Sequence, residues 1–176
     1  MLNHLAVILV LAGADPAAKV PESCRDLAEQ LVDSLRNGDS VGYAHCWLPL
    51  RRIDAITRVS KRPIPKDQLK AMRAYFQKRN YQVARSFEIL SDLFSKQGEI
   101  EELKLVDVTI QGDVKERDGM RQITMFYVTV ALGETQYKIT IDDGVEDGGE
   151  WFFSDTPLHV EGGLGNRSIS FAGTDE

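Results

Sequence analysis

The apolar residues of this 176-residue chain change their spacing once, and that change limits what it can fold into. From Leu27 to Phe94 they recur at steps of three and four; from Leu103 to Phe153 they recur at steps of two. The first spacing lays a stripe along a helix, and the second lays a face on a strand. Helices therefore come first and strands follow, without the alternation that builds a parallel sheet. That order reads as one α+β domain, with helices packed on an antiparallel sheet. The length suits a single domain of this kind, and no internal repeat is visible.

The opening helix starts at Glu22 or Ser23, buries Leu27, Leu31 and Leu35, and stops at Asn37-Gly38. Asp39 or Ser40 caps a short second helix running to Trp47-Leu48, which Pro49 blocks. Ile53 and Ile56 mark another helical turn, and Arg62-Pro63-Ile64-Pro65 is a loop. Pro65 opens a helix from Lys66 to about Asn80, with Leu69, Met72 and Phe76 inward. A further stripe runs through Val83, Phe87, Leu90 and Phe94 to Gly98, and the spacing leaves open whether Asn80 divides the two.

In the strand half, Leu103–Ile110 alternates in two phases, so a β-bulge is expected at Leu105-Val106. Asp118-Gly119 signals a hairpin. Gln122 to Leu132 is apolar on both faces, the pattern of a central strand. Gly133-Glu134 fits a two-residue turn, and Thr135 to Asp142 alternates with Tyr137, Ile139 and Ile141 inward. An acidic loop, Asp142 to Glu150, leads to Trp151-Phe152-Phe153. The expectation is a curved four-stranded antiparallel meander. The domain spans 22–160, and the Gly-rich residues 161–176 read as a flexible tail.

Three features of this order carry a resemblance. They are the helix ending in Asn37-Gly38-Asp39, the short helix with Tyr43 and Trp47, and the last hairpin, with an acidic-Gly turn before Trp151. With them, residues 22–156 resemble the nuclear-transport-factor-2-like (cystatin-like) superfamily of cone-shaped domains. The resemblance implies a cone whose wall is the sheet. Enzymes of that superfamily place Asp, His or Tyr groups inside the cone. Here Tyr127, Tyr137 and Asp142 on predicted strands and His45 on a predicted helix are groups of those types, and no family catalytic pattern can be matched to them; Tyr43, Trp47, Tyr127, Tyr137 and Trp151 are the candidate pocket lining. The basic stretch Arg51 to Arg85 departs from the superfamily's pattern.

The first fourteen residues read as a signal peptide. Leu5 to Leu11 is LAVILVL and Ala12-Gly13-Ala14 gives a small-x-small end, although no Lys or Arg precedes the run. The alternative is a buried N-terminal strand. Leu11 to Ala14 is similar to a lipobox with Ala in place of the lipidated Cys, so the expected product is soluble and exported, periplasmic or secreted. Export would favour pairing of Cys24 with Cys46. The two lie 13 residues before and 9 after Asn37, so their helical arms differ by roughly 6 Å, which strains a bond. Two buried thiols are the other reading.

Charge is uneven. Residues 51–85 hold 11 basic and 2 acidic groups, against 7 and 19 in residues 86–176. Lys66, Lys70 and Arg73 share one helix face, a candidate anion-binding surface or a solvated face balanced by the acidic loops. Phosphate-loop, dinucleotide, metalloprotease and serine-hydrolase motifs are absent, and no apolar run reaches the ~18 residues of a membrane span. The expectation is thus no cofactor, no metal and no nucleic acid, and an unknown small ligand, protein or anionic surface as partner. Two functional readings follow: a non-catalytic binding or protein-interaction domain, or a small isomerase- or hydrolase-type enzyme using Tyr and Asp groups from the sheet.

Overall fold

A computed structural model describes residues 20–49, 65–117, 120–162 and 168–170. The signal-peptide stretch, the Ile53–Ile56 turn, the Asp118-Gly119 turn and the rest of the tail lie outside these residues. Among the described residues, three α-helices precede a curled antiparallel sheet that forms a half-barrel, so the α+β expectation holds and the arrangement is cone-like.

Helix α1 (Glu22–Arg36) buries Cys24, Leu27, Ala28, Leu31, Val32 and Leu35, the stripe its spacing prescribes. Asp39 caps α2 (Ser40–His45), accepting from the Val41 and Gly42 amides at 3.1 and 2.9 Å. Helix α2 stops at His45, and residues 46–48 instead hook onto the sheet. The Phe153 amide donates to the Cys46 carbonyl, and the Leu48 amide to the Phe153 carbonyl, both at 2.9 Å.

Helix α3 (Lys66–Gln97) is one unbroken rod of 32 residues, about 48 Å long. Asn80 does not divide it. Its two halves differ in burial. Val83, Leu90 and Phe94 lie in the main core, whereas Leu69, Met72 and Phe76 are only half-buried.

The four expected strands are present as β1 (Lys104–Ile110), β3 (Met120–Leu132), β4 (Thr135–Asp147) and β5 (Glu150–Phe153). The bulge falls between Leu105 and Asp107, and Gly133-Glu134 joins β3 to β4. Gly133 has φ +59°, the backbone a two-residue turn of this kind demands of its first residue. Three short strands extend the meander: β2 (Lys115–Arg117) pairs with β3, β6 (Pro157–Gly162) with β4, and β7 (Ser168–Ser170) with β6. Residues 161–162 and 168–170 of the expected tail thus belong to the sheet.

Strand β4 does not stop at Asp142. It runs on through the expected acidic loop, pairing with β6 along its first half and with β5 along its second. The two halves are separated by a kink. Ile123 and Phe126 both lie in the main core although three residues apart, which a regular strand cannot arrange. Opposite them, a Cβ on Gly144 would fall 2.1 Å from Phe126 Cε2, so Gly144 and Ile141, also three apart, face the same side. Between the partners sit Thr124 and Asp143, and Asp143 has φ +46°, the left-handed region that L residues rarely enter. Past the kink, Val145 turns away from the main core. It meets Leu48, Phe152, Met72 and Phe76 in a second small apolar cluster under the first half of α3.

The concave side is filled. Leu31, Tyr43, Leu90, Phe94, Phe126, Ile139 and Phe153 are all fully buried there. Burying a side chain of this size contributes roughly 1.5–3 kcal/mol. Tyr137 packs edge-on to Phe94 at 5.3 Å, and Tyr43 packs on Trp47 at 4.5 Å while bonding Ser86 Oγ at 2.9 Å.

Of the two readings for the cysteines, the bond is not formed: Cys24 and Cys46 are buried free thiols. The bond required one helix to start late or end early enough to cancel the unequal arms. Helix α1 already begins ahead of Cys24, so its arm keeps its length, and Cys46 is drawn to β5 instead. Burial pushes both thiols up to about 12.

Candidate functional site

Two features adjoin each other at the end of the sheet where β5 begins. The first is an open cleft of about 500 Å³. Asp26, Leu27 and Gln30 form its α1 side, Ala44, His45, Trp47 and Pro49 its second side, and Glu150, Trp151 and Phe152 its β5 side. Both tryptophans show little more than an edge, at 2 and 3 % exposure. Trp47 is pinned by its indole N–H, which donates to the Asp155 carbonyl at 2.7 Å. Trp151 lies under the Arg121 guanidinium at 5.7 Å, and its indole N–H has no acceptor among the described residues.

The second feature is a cluster of charged and phenolic groups beside Trp47. Arg79 of α3 is 1 % exposed. Its guanidinium donates to the Leu48 carbonyl at 2.6 Å and the Ser154 carbonyl at 3.1 Å, and stacks 4.5 Å from the Phe76 ring centre. Burial lowers Arg79 to about 10, partly offset by Tyr75 and Asp155. One turn earlier, burial and the nearby Asp155 carboxylate push Tyr75 up to about 12. Burial, with Asp142 and Asp155 nearby, also raises Asp143. These groups tie α3, residues 46–48 and the β5–β6 connection together. Tyr75 and Arg79 both keep their protons at neutral pH.

Sequence reasoning missed Arg79 and Asp155. Arg79 had a signal, since Met72, Phe76, Arg79 and Val83 follow steps of four, three and four. The inward stripe of α3 therefore passes through an arginine. Asp155 had none, because it is placed by a turn.

The candidate lining residues separate. Trp47 and Trp151 border the cleft. Tyr43 and Tyr137 are in the filled core. Tyr127 lies on the opposite sheet face, its hydroxyl donating to Gln111 at 3.3 Å and its ring facing Lys138 Nζ at 5.5 Å. Near it Thr140 and Glu161 both approach His159 Nε2, at 3.4 and 3.1 Å. A relay would need them on different ring nitrogens. Lys66, Lys70 and Arg73 are exposed on the outer half of α3. No group of three or more His, Cys, Asp or Glu side chains suited to a metal occurs among the described residues, and no described helix is long and apolar enough to cross a membrane. No protein-family model, curated protein or solved structure matches this chain.

Proposed function

We propose that this chain is an exported, non-catalytic binding or protein-interaction domain. It would be built on a cone of the nuclear-transport-factor-2-like kind. The observation that carries the reading is the filled concave side: Phe94, Phe126, Ile139 and Tyr43 stand where a pocket enzyme needs a cavity. The Tyr75–Asp155 pair gives the enzyme reading its best foothold. Yet neither residue lines this cleft or the acidic groove along α1. Ligand contact falls instead to open surfaces, the Trp47–Trp151 cleft first among them.

The test pairs turnover with binding. The chain is assayed against enolisable ketones and aryl esters, and titrated with short peptides while indole N–H signals are followed by NMR. Saturable shifts at Trp47 or Trp151 without turnover are expected. Turnover abolished by Tyr75→Phe or Asp155→Asn would overturn the reading in favour of an isomerase or hydrolase. Export is tested separately, by mass spectrometry of the mature N-terminus; an unprocessed chain starting at Met1 would remove it.

A further inference from the structure

The exposed basic stripe of α3 and the exposed acidic stripe of α1 have the same spacing in opposite order. Lys66, Lys70 and Arg73 are separated by four and then three residues; Asp26, Glu29 and Asp33 by three and then four. On helices rising 1.5 Å per residue, the steps are about 6 and 4.5 Å in one stripe and about 4.5 and 6 Å in the other. Laid antiparallel, the stripes match: Lys66 meets Asp33, Lys70 meets Glu29 and Arg73 meets Asp26. All six side chains are on exposed residues, and the acidic three line an open groove of about 420 Å³ together with Asp39.

We infer that α3 of one molecule docks antiparallel against α1 of a second copy of this chain, in the register that pairs these six residues. The inference rests on the proposed binding role and names its partner. Within each stripe, like charges at three- and four-residue steps repel. A second copy converts both repulsions into attraction at once.

Other occupants fit less well. A lipid surface would need an apolar helix side beside the cations. Met72 and Phe76, which would supply it, are already packed with Val145 and Phe152. The chain as a whole is also acidic, at net −6, so an anionic bilayer repels it while an unlike patch on a second copy does not. The acidic stripe is only lightly engaged by its own helix. Arg25 approaches Glu29 at 3.4 Å and Arg36 pairs with Asp33, with side chains between 37 and 55 % exposed. Such surface pairs exchange readily.

The test is sedimentation of the full chain and of two triple variants, Lys66→Glu/Lys70→Glu/Arg73→Glu and Asp26→Lys/Glu29→Lys/Asp33→Lys. The wild-type weight-average mass is expected to rise with protein concentration at about 0.02 M salt and to fall to the monomer value at about 0.5 M. Each variant alone should associate about tenfold more weakly or worse. An equimolar mixture of the two should recover association, because each copy then presents the stripe the other lacks. That recovery also excludes misfolding as the cause of the loss. A wild-type monomer at every salt, unaltered association in either variant, or no recovery in the mixture would each overturn the inference. So would retention on phosphatidylglycerol vesicles, lost in the first variant, with no self-association at any concentration. None of these results bears on turnover, so the binding-domain reading stands or falls separately.

Discussion

Replacing Gly144 by Ala tests the kink that gives the sheet its shape. The added Cβ would lie 2.1, 2.8 and 3.2 Å from Phe126 Cε2, Cζ and Cδ2. The ring has little room to yield: Phe126 is fully buried, 5.3 Å from Phe153 and 6.3 Å from Trp151. Overpacking of this kind costs about 1–3 kcal/mol. Gly144 does not have a positive φ, so the substitution also gains about 0.4–1 kcal/mol by restricting the unfolded chain. A net loss of about 1–2 kcal/mol is expected, lowering Tm by about 2–8 °C. The assay is urea unfolding of Gly144→Ala, Phe126→Leu and the double variant. Leucine removes the ring atoms that clash, so the double variant should be more stable than additivity predicts by about 1 kcal/mol or more. If the two effects add within about 0.5 kcal/mol, the ring is not what forbids a side chain at residue 144, and the account of the kink fails.

Three further predictions concern buried groups. Neither Cys24 nor Cys46 should react with iodoacetamide in the folded protein, and both should react in urea; a native chain lighter by two hydrogens would instead restore the disulfide. Both thiols rise from 9.0 to about 12 on folding, so the folded state holds protons that the unfolded state releases above pH 9. The urea midpoint should therefore hold up to about pH 8.5 and then fall steadily as pH rises toward 12, because the unfolded state alone releases these protons there. A midpoint flat to pH 11 would contradict this. Arg79→Leu should cost about 2–4 kcal/mol, because the Leu48 and Ser154 carbonyls lose their donors, each worth about 1–3 kcal/mol if left unsatisfied. A loss under about 0.5 kcal/mol would mean that Arg79 does not brace α3.

What could be read from the sequence follows what repeats. Leu27, Leu31 and Leu35 recur at helical steps, and each is buried in α1; Tyr137, Ile139 and Ile141 recur at strand steps and face the core. Asp39 and Gly133 act within a few residues of themselves, so the cap and the turn were legible too. Asp142–Glu150 was not. The alternation breaks where Asp143 takes φ +46°, and a run of acids and glycines then reads as a loop. Its first part, Asp142–Asp147, is strand because β3 and β5 pair with it on either side, which is a long-range fact; only Gly148-Gly149 turn. The divided burial of α3 was hidden for the same reason. Leu69, Met72 and Phe76 form as good a stripe as Val83, Leu90 and Phe94. How much core each stripe meets depends on where the sheet lies.

The site was less legible than the fold, and the reason is physical. Tyr127 sits between Phe126 and Val128, where both strand faces read as apolar, whereas Tyr137 sits in a clean alternation between Gln136 and Lys138, so local pattern points Tyr137 inward and leaves the side of Tyr127 open. Their partners across the sheet separate them: Tyr127 pairs with Thr140, and Tyr137 with Val130. The first pair faces a polar row with Lys138, His159 and Glu161, and the second faces the core. Packing then takes Tyr43 and Tyr137 out of any pocket and leaves Trp47 and Trp151 at its edge. The same kink that hid β4 produces this outcome. By turning Val145 and Phe152 away from the main core, it gives the outer half of α3 a surface to lie on. Met72 and Phe76 then face inward, and the exposed side of that half presents Lys66, Lys70 and Arg73. The basic stripe is thus held by a rigid apolar seat. If that seat were loosened by Phe152→Ala, the stripe would lose its fixed direction, and salt-sensitive self-association would weaken with no charge altered.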